Sequence, residues 1–254
     1  MLLAAGGVIW EAGRHGWGTA WTGAAAVFGL IAVAAMLAPG GSSKDVAREP
    51  LQEPLADLLR RRDIGVILLF ALLFKIDIAA LDPMTKPFWT DRGLTLEVIG
   101  STITTGRLIA TVLGATIGGV LTSRWGIFPA LWRLGAVQAL SSLGYAAAAA
   151  ATASLPVILA AAFFENFAAG LGTAVFLAFL MAVCKRQYAA TQFAVLSALV
   201  ALSRSAASWA SGRVAEHTGY TQYFLLTFLI GLPAFALLPR LRRTLDVGEV
   251  PAGR

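Results

Sequence analysis

The chain is expected to fold as an all-α bundle set in a membrane, and three observations carry that expectation. Hydrophobic residues make up 57% of its 254 positions and charged residues 13%, whereas soluble domains carry about 25% charged residues. The apolar residues run in long stretches, and a helix needs roughly 20 such residues to cross a bilayer. No strand-like alternation of polarity runs through these stretches. Lipid offers exposed backbone groups no hydrogen-bond partner, so each stretch is helical.

Residues 1–10 read as the tail of a span, because they are apolar but lack the basic leader of a signal peptide. The next span covers 17–37 and ends at Pro39-Gly40-Gly41-Ser42-Ser43, a composition break. Residues 53–62 suit a short amphipathic helix lying on the inner membrane surface. Six spans follow, at about 64–81, 96–121, 127–151, 155–184, 188–212 and 222–238. Trp10, Trp17, Trp21, Trp89, Trp125 and Trp132 fall near span ends, as do Tyr188 and Tyr220, where an interfacial belt of aromatics belongs.

Lys and Arg between the spans set the orientation. Thirteen lie on the side of the 38–63 connection and the C-terminus, among them Lys44, Arg48, Arg60, Arg61, Arg62, Lys185 and Arg186. The other side has four, Arg14, Lys86, Arg92 and Arg213. The basic side is expected in the cytoplasm. The formal net charge of +6 is thereby a topology signal, and no nucleic-acid partner is expected.

Five charges remain inside the spans: Lys75, Asp77, Arg107, Glu165 and Arg204. Each costs at least about 2.5–3.5 kcal/mol at mid-bilayer unless it faces a partner or a water-filled path. At 1.5 Å per residue, Lys75, Arg107 and Glu165 lie about 15–17 Å from their points of entry, near the midplane where carriers bind solute. Glu165 is the first candidate for carrying a proton, with a static ion pair to Lys75 or Arg107 as the alternative. Lys75 and Arg107 are candidate anion contacts, Arg because its guanidinium grips carboxylate or phosphate bidentately. On a regular helix Asp77 points away from Lys75, which makes Asp77 a second proton candidate outside the same cavity. Arg204 lies nearer the far face and suits a gating or structural pair.

Other chemistries find no support. Cys184 is the single cysteine, so neither an internal disulfide nor a Cys-based zinc site is possible. His15 and His217 lack ligand partners at suitable spacing, and neither a metal nor a cofactor is expected. The glycines sit in no strand–loop–helix with a phosphate-binding lysine. A Ser/His/Asp arrangement is missing too, so the chain is expected not to be an enzyme.

One block is more specific. Phe163-Phe164-Glu165-Asn166, then Gly170, Gly172-Thr173 and Phe176, resembles the tenth span of AmpG-type muropeptide permeases, in the major facilitator superfamily. Cys184-Lys185, Ala190-Thr191-Gln192-Phe193-Ala194, Leu196-Ser197-Ala198 and Arg204 extend the likeness. Gln138-Ala139-Leu140-Ser141 with Gly144-Tyr145 is similar to the ninth span, and Gly114 with Gly118-Gly119 to the end of the eighth. Gly119, Ser123, Arg124 and Gly126 resemble the superfamily's short gating motif, with Ser123 where an Asp is usual.

The resemblance implies a multi-pass inner-membrane carrier that imports a polar, anionic solute such as anhydro-muropeptide with protons. Residues 1–38 then correspond to the end of a first bundle, 39–63 to a cytoplasmic linker, 64–240 to the second six-helix bundle and 241–254 to a cytoplasmic tail. The rest of the first bundle would be a missing partner. Asn166 joins Lys75 and Arg107 as an implied solute contact, and Arg124 joins Arg204 as a gating residue. Gln192, near the cytoplasmic entry of its span, suits a solute contact or, in preference, an inter-helix hydrogen bond. In the seventh span the family pattern has an acid three residues after Lys; here that position is Ile78 and the acid is Asp77. Arg107 stands where a glycine is usual, and Ile103-Thr104 where an Asn-Lys pair is. A siderophore or acyl-CoA-type solute is therefore the runner-up, and a non-transporting membrane subunit is the rival from another class.

Overall fold

The computed structural model describes residues 2–37, 52–61, 63–151 and 154–246, and every element among them is helical. Helices α1 (Leu2–His15) and α2 (Trp17–Leu37) meet at Gly16, whose φ of 90° favours glycine. The tail expected at 1–10 is thus a longer helix, and α1 lies across the segment from Leu96 to Ile103. Gly13 permits that approach, since a Cβ there would stand 3.0 Å from the Glu97 nitrogen. Helix α2 packs on α1 and leaves Trp21, Phe28, Leu30, Ile31 and Met36 exposed, an apolar surface suited to lipid.

Helix α3 (Gln52–Leu59) occupies the place of the expected amphipathic helix, and it buries Pro54 and Leu58. Most of the expected linker lies outside the described residues, as do Lys44, Arg48, Arg62 and Arg254. The stretch expected as one span at 64–81 is two helices in line, α4 (Ile64–Leu73) and α5 (Ile76–Asp91), which together are long and apolar enough to cross a membrane. A three-residue helix, α6 (Leu96–Val98), runs through a π-helical turn at Ile99–Ile103 into α7 (Thr104–Trp125). Gly126, at φ 82°, turns the chain into α8 (Ile127–Ala150), and α9 (Leu155–Val183) follows.

The two last expected spans are joined as α10 (Ala189–Asp246), broken at Gly219 with φ 74° and ψ 162°. The chain reverses there. Ser211 and Tyr223, on either side of Gly219, both donate to the Ala80 carbonyl, at 3.1 and 2.5 Å.

Two apolar cores stack along the bundle. One holds Phe70, Phe74, Leu131, Phe176, Phe179, Leu196 and Leu238. The other, toward Gly219, holds Leu81, Phe88, Trp89, Ile103, Tyr145, Ala162 and Phe224. Lys75 lies near the Phe74 and Phe176 rings of the first core, and Arg107 over the Trp89 ring of the second.

Helices α7 and α9 approach unusually closely. A Cβ on Gly114 would fall 2.1 Å from the Phe167 oxygen, one on Gly118 2.8 Å from the Leu171 oxygen, and one on Gly170 2.4 Å from the Thr111 oxygen. Small residues let backbones meet in this way where lipid gives no hydrophobic drive to association. Gly119 faces open space and has no part in the contact.

Candidate functional site

The break between α4 and α5 creates the first half of the site. Lys75 caps α5 with φ −112° and ψ 4°, so the helical ladder is interrupted beside it. The Gln138 side chain on α8 donates from Nε2 to the Phe74 carbonyl at 3.2 Å. The same nitrogen lies 3.2 Å from each Asp77 carboxylate oxygen, while Gln138 Oε1 accepts from Lys75 Nζ at 2.9 Å. Lys75 also donates to Thr173 Oγ1 at 3.0 Å. The break cancels the regular-helix geometry that separated Lys75 from Asp77, and one amide joins them. All three side chains are buried.

Two glycines make the room. A Cβ on Gly172 would sit 1.9 Å from Gln138 Oε1, and one on Gly231 3.1 Å from the Asp77 Cβ.

The second half links α5, α7 and α9. Arg107 Nη2 donates to Asp82 Oδ1 at 2.5 Å and Nε donates to Asn166 Oδ1 at 3.0 Å. Asn166 Nδ2 in turn donates to Glu165 Oε2 at 2.7 Å and to the Ala162 carbonyl at 2.8 Å. The result is a chain from Asp82 through Arg107 and Asn166 to Glu165. Among the described residues Glu165 makes no direct ion pair, whereas Arg107 pairs with Asp82. The guanidinium also lies over the Trp89 ring, 5.5 Å from its centroid. Charge-assisted bonds of this kind hold a buried cation and acid in register.

Asn166 and Thr173 are seven residues apart on α9. They therefore share a face and stack the two polar groups roughly 10 Å apart. Arg107 additionally borders an open cleft of about 430 Å³ between α7 and α9, walled by Thr102, Gly106, Leu159 and Phe163.

Lys75, Asp77, Arg107, Glu165 and Asn166 are thus brought together, with Asp82, Gln138 and Thr173 completing the set. Gln192 lies elsewhere, on the α3 side of the molecule. Its Nε2 donates to the Pro54 carbonyl at 3.2 Å and to Asp57 Oδ2 at 3.1 Å. Its Oε1 accepts from Arg61 Nη2 at 3.1 Å and from the Lys185 backbone at 2.9 Å. Asp57 also pairs with Arg61 and with Lys185, and Arg61 donates to the Val183 carbonyl. Arg124 and Arg204 are exposed and have no ion pair among the described residues. Arg204 nevertheless lies within electrostatic reach of Lys75.

Asp82 and Gln138 escaped sequence reasoning as site residues. Asp82 sits one position beyond the expected span, just before Pro83, and so reads as an exit from the membrane. Gln138 carries no charge to mark it. No group of three or more His, Cys, Asp or Glu side chains is placed to hold a metal ion among the described residues.

No family model matches the chain. Individual relatives do. It is 34% identical over 258 aligned positions to the anhydromuropeptide permease of Escherichia coli strain K12, covering 98% of this chain and 52% of that protein. It is 30% identical over 194 positions to the putative transporter AmpG 4 of Rickettsia conorii, covering 76% of this chain and 47% of that protein. An uncharacterized protein of Haemophilus influenzae is 30% identical over 200 positions, covering 73% of this chain and 46% of its own length. The chain spans about half the length of the curated relatives it matches.

Proposed function

Because the chain belongs to the AmpG-type permease family, we propose that it forms the solute- and proton-handling bundle of a muropeptide importer in the bacterial inner membrane. The observation that carries the reading is the chain Asp82–Arg107–Asn166–Glu165, which runs from a half-exposed carboxylate to a buried one, beside the Lys75–Gln138–Asp77 group. Polar groups this deep in a membrane bundle mark solute and proton pathways. Glu165 is the coupling acid. It has no cation in direct contact, so it can be neutral in the occluded bundle and ionised when Arg107 leaves Asp82 and turns toward it. Asp77 is the second acid. Lys75 and Arg107 receive the anionic part of the solute, and Asn166 relays between guanidinium and acid.

The basic loops support a cytoplasmic position for α3 and the C-terminus. Residues 1–38 belong to the end of a facing bundle, with which residues 64–240 enclose the solute path. Exposed Arg204 on α10 and Arg124 at the end of α7 act as gating cations at the two mouths of that path.

The test is uptake of labelled anhydro-muropeptide into proteoliposomes, with and without an inward proton gradient. The chain is reconstituted alone and together with the first half of the E. coli relative. Gradient-dependent uptake is expected in at least one arrangement. No uptake in either overturns the proposal.

A further inference from the structure

Two donors in the core nearer Gly219 are unused. Trp89 Nε1 and the Tyr145 hydroxyl are fully buried, and neither has a hydrogen-bond partner among the described residues. Orphaned donors in an apolar setting are costly, and buried polar groups are nearly always paired. Both belong to the same apolar core, and neither meets the other at hydrogen-bond geometry. Trp89 also borders the second polar group, since the Arg107 guanidinium covers its ring, and Tyr145 shares its core.

Arg107 has spare capacity as well. Its guanidinium has five N–H groups; protein acceptors take bonds from Nε and Nη2, and none among the described residues takes one from Nη1. Packing fixes the two rings. Tyr145 lies 5.3 Å from the Phe224 ring and 6.3 Å from the Phe88 ring, centroid to centroid. Both donors are therefore oriented in advance, which lowers the entropy lost on binding an acceptor.

We propose that Trp89, Tyr145 and Arg107 form a donor subsite that takes one acceptor oxygen of the carried solute, a carboxylate or an amide carbonyl. The proposal rests on the reading of the chain as a muropeptide carrier and adds the residues that would recognise its oxygen. A solute lacking an acceptor at that point would leave three buried donors unpaired, and such an arrangement discriminates strongly between otherwise similar molecules.

Tyr145→Phe and Trp89→Phe each remove one donor and keep an aromatic ring. Equilibrium binding of labelled anhydro-muropeptide to the full chain in detergent is expected to weaken about tenfold or more in each variant. The Tyr145→Phe melting temperature is expected to be unchanged or higher, since an orphan has been removed. Binding equal to wild type in both variants overturns the subsite. So does a fall in Tyr145→Phe stability that accounts for the lost binding, because that result makes the hydroxyl structural.

A methyl-esterified muropeptide identifies the oxygen. Weak binding that Tyr145→Phe leaves unchanged assigns a carboxylate, and full binding that Tyr145→Phe still weakens assigns a carbonyl. Failure of muropeptide to bind wild type both alone and together with the first half of the E. coli relative refutes the carrier reading instead. Titration with acetate and N-acetylglucosamine then decides the subsite alone: a saturable thermal shift lost in Tyr145→Phe supports it, and no shift with either overturns it.

Discussion

Gly172 leaves the space that Gln138 fills. A Cβ on Gly172 would stand 1.9 Å from Gln138 Oε1, the oxygen that accepts from Lys75. Gly172→Ala therefore pushes the amide off both Lys75 and Asp77 and strips the Phe74 carbonyl of its donor. Each buried group so exposed costs about 1–3 kcal/mol. The expected outcome is a lower melting temperature and loss of transport. Cys184, the single cysteine and half-buried, reports unfolding through a thiol-reactive dye.

Glu165→Gln keeps the hydrogen bond from Asn166 within reach and removes the ability to ionise. Proton-driven accumulation of muropeptide should disappear while solute exchange across the vesicle membrane persists in part. Accumulation equal to wild type would mean that the coupling acid lies elsewhere.

Asp82 and Arg107 form a direct pair, with Arg107 side-chain exposure of 12% against 45% for Asp82. Removing the cation alone leaves Asp82 and Asn166 without their partner, and removing both members relieves part of that damage. In a double-mutant cycle of Arg107→Gln and Asp82→Asn, the stability losses should be non-additive by at least about 0.5 kcal/mol. Additive losses would show the pair to be energetically silent.

Asp57 gives a pH dependence at the other end of the molecule. Its carboxyl is held below its ordinary 3.8 chiefly by the hydrogen bond from Lys185, against the opposing effect of burial, with Gln192 and Arg61 adding to the lowering. The folded carboxyl thus binds a proton less well than the unfolded one. The contribution to docking of α3 is present above 3.8 and lost as pH falls below it. Nicking of α3 by pepsin near Leu58 and Leu59, normalised to an unstructured peptide, should rise across that window. At pH 7, high salt or Asp57→Asn should raise tryptic cleavage after Arg61, since the pair with Lys185 is solvent-exposed and screened.

Gln192→Ala separates docking of α3 from solute binding. Among the described residues, its side-chain hydrogen bonds run to Pro54, Asp57, Arg61 and Lys185. The variant should loosen α3 to trypsin with little change in muropeptide KM. A large rise in KM with α3 still protected would return Gln192 to the solute path.

The helices that carry Lys75, Arg107 and Glu165 were legible because a bilayer imposes length and apolarity on the chain, and both are written in one dimension. The α4–α5 break was not. No Gly or Pro marks Phe74-Lys75; the donor that takes the freed Phe74 carbonyl comes from Gln138, 64 positions away. Pro83, two residues past the expected end of the 64–81 span, conceals its continuation. It suggests the end of a span, yet α5 runs on to Asp91, because the Ala79 carbonyl that loses its helical donor is met by the Ser208 hydroxyl at 3.3 Å. Asp82 was lost with that boundary.

The glycine seam between α7 and α9 has a mechanical meaning. With Gly114, Gly118 and Gly170 locked against the opposing backbone, the two helices cannot slide or roll past each other without collision. They form one lever, and Arg107 on the first and Asn166 with Glu165 on the second ride on it together. On the proposed carrier reading, the stroke that parts Arg107 from Asp82 belongs to α5, which carries Asp82 and breaks from α4 at Phe74-Lys75; that joint is then the fulcrum and the charges the load.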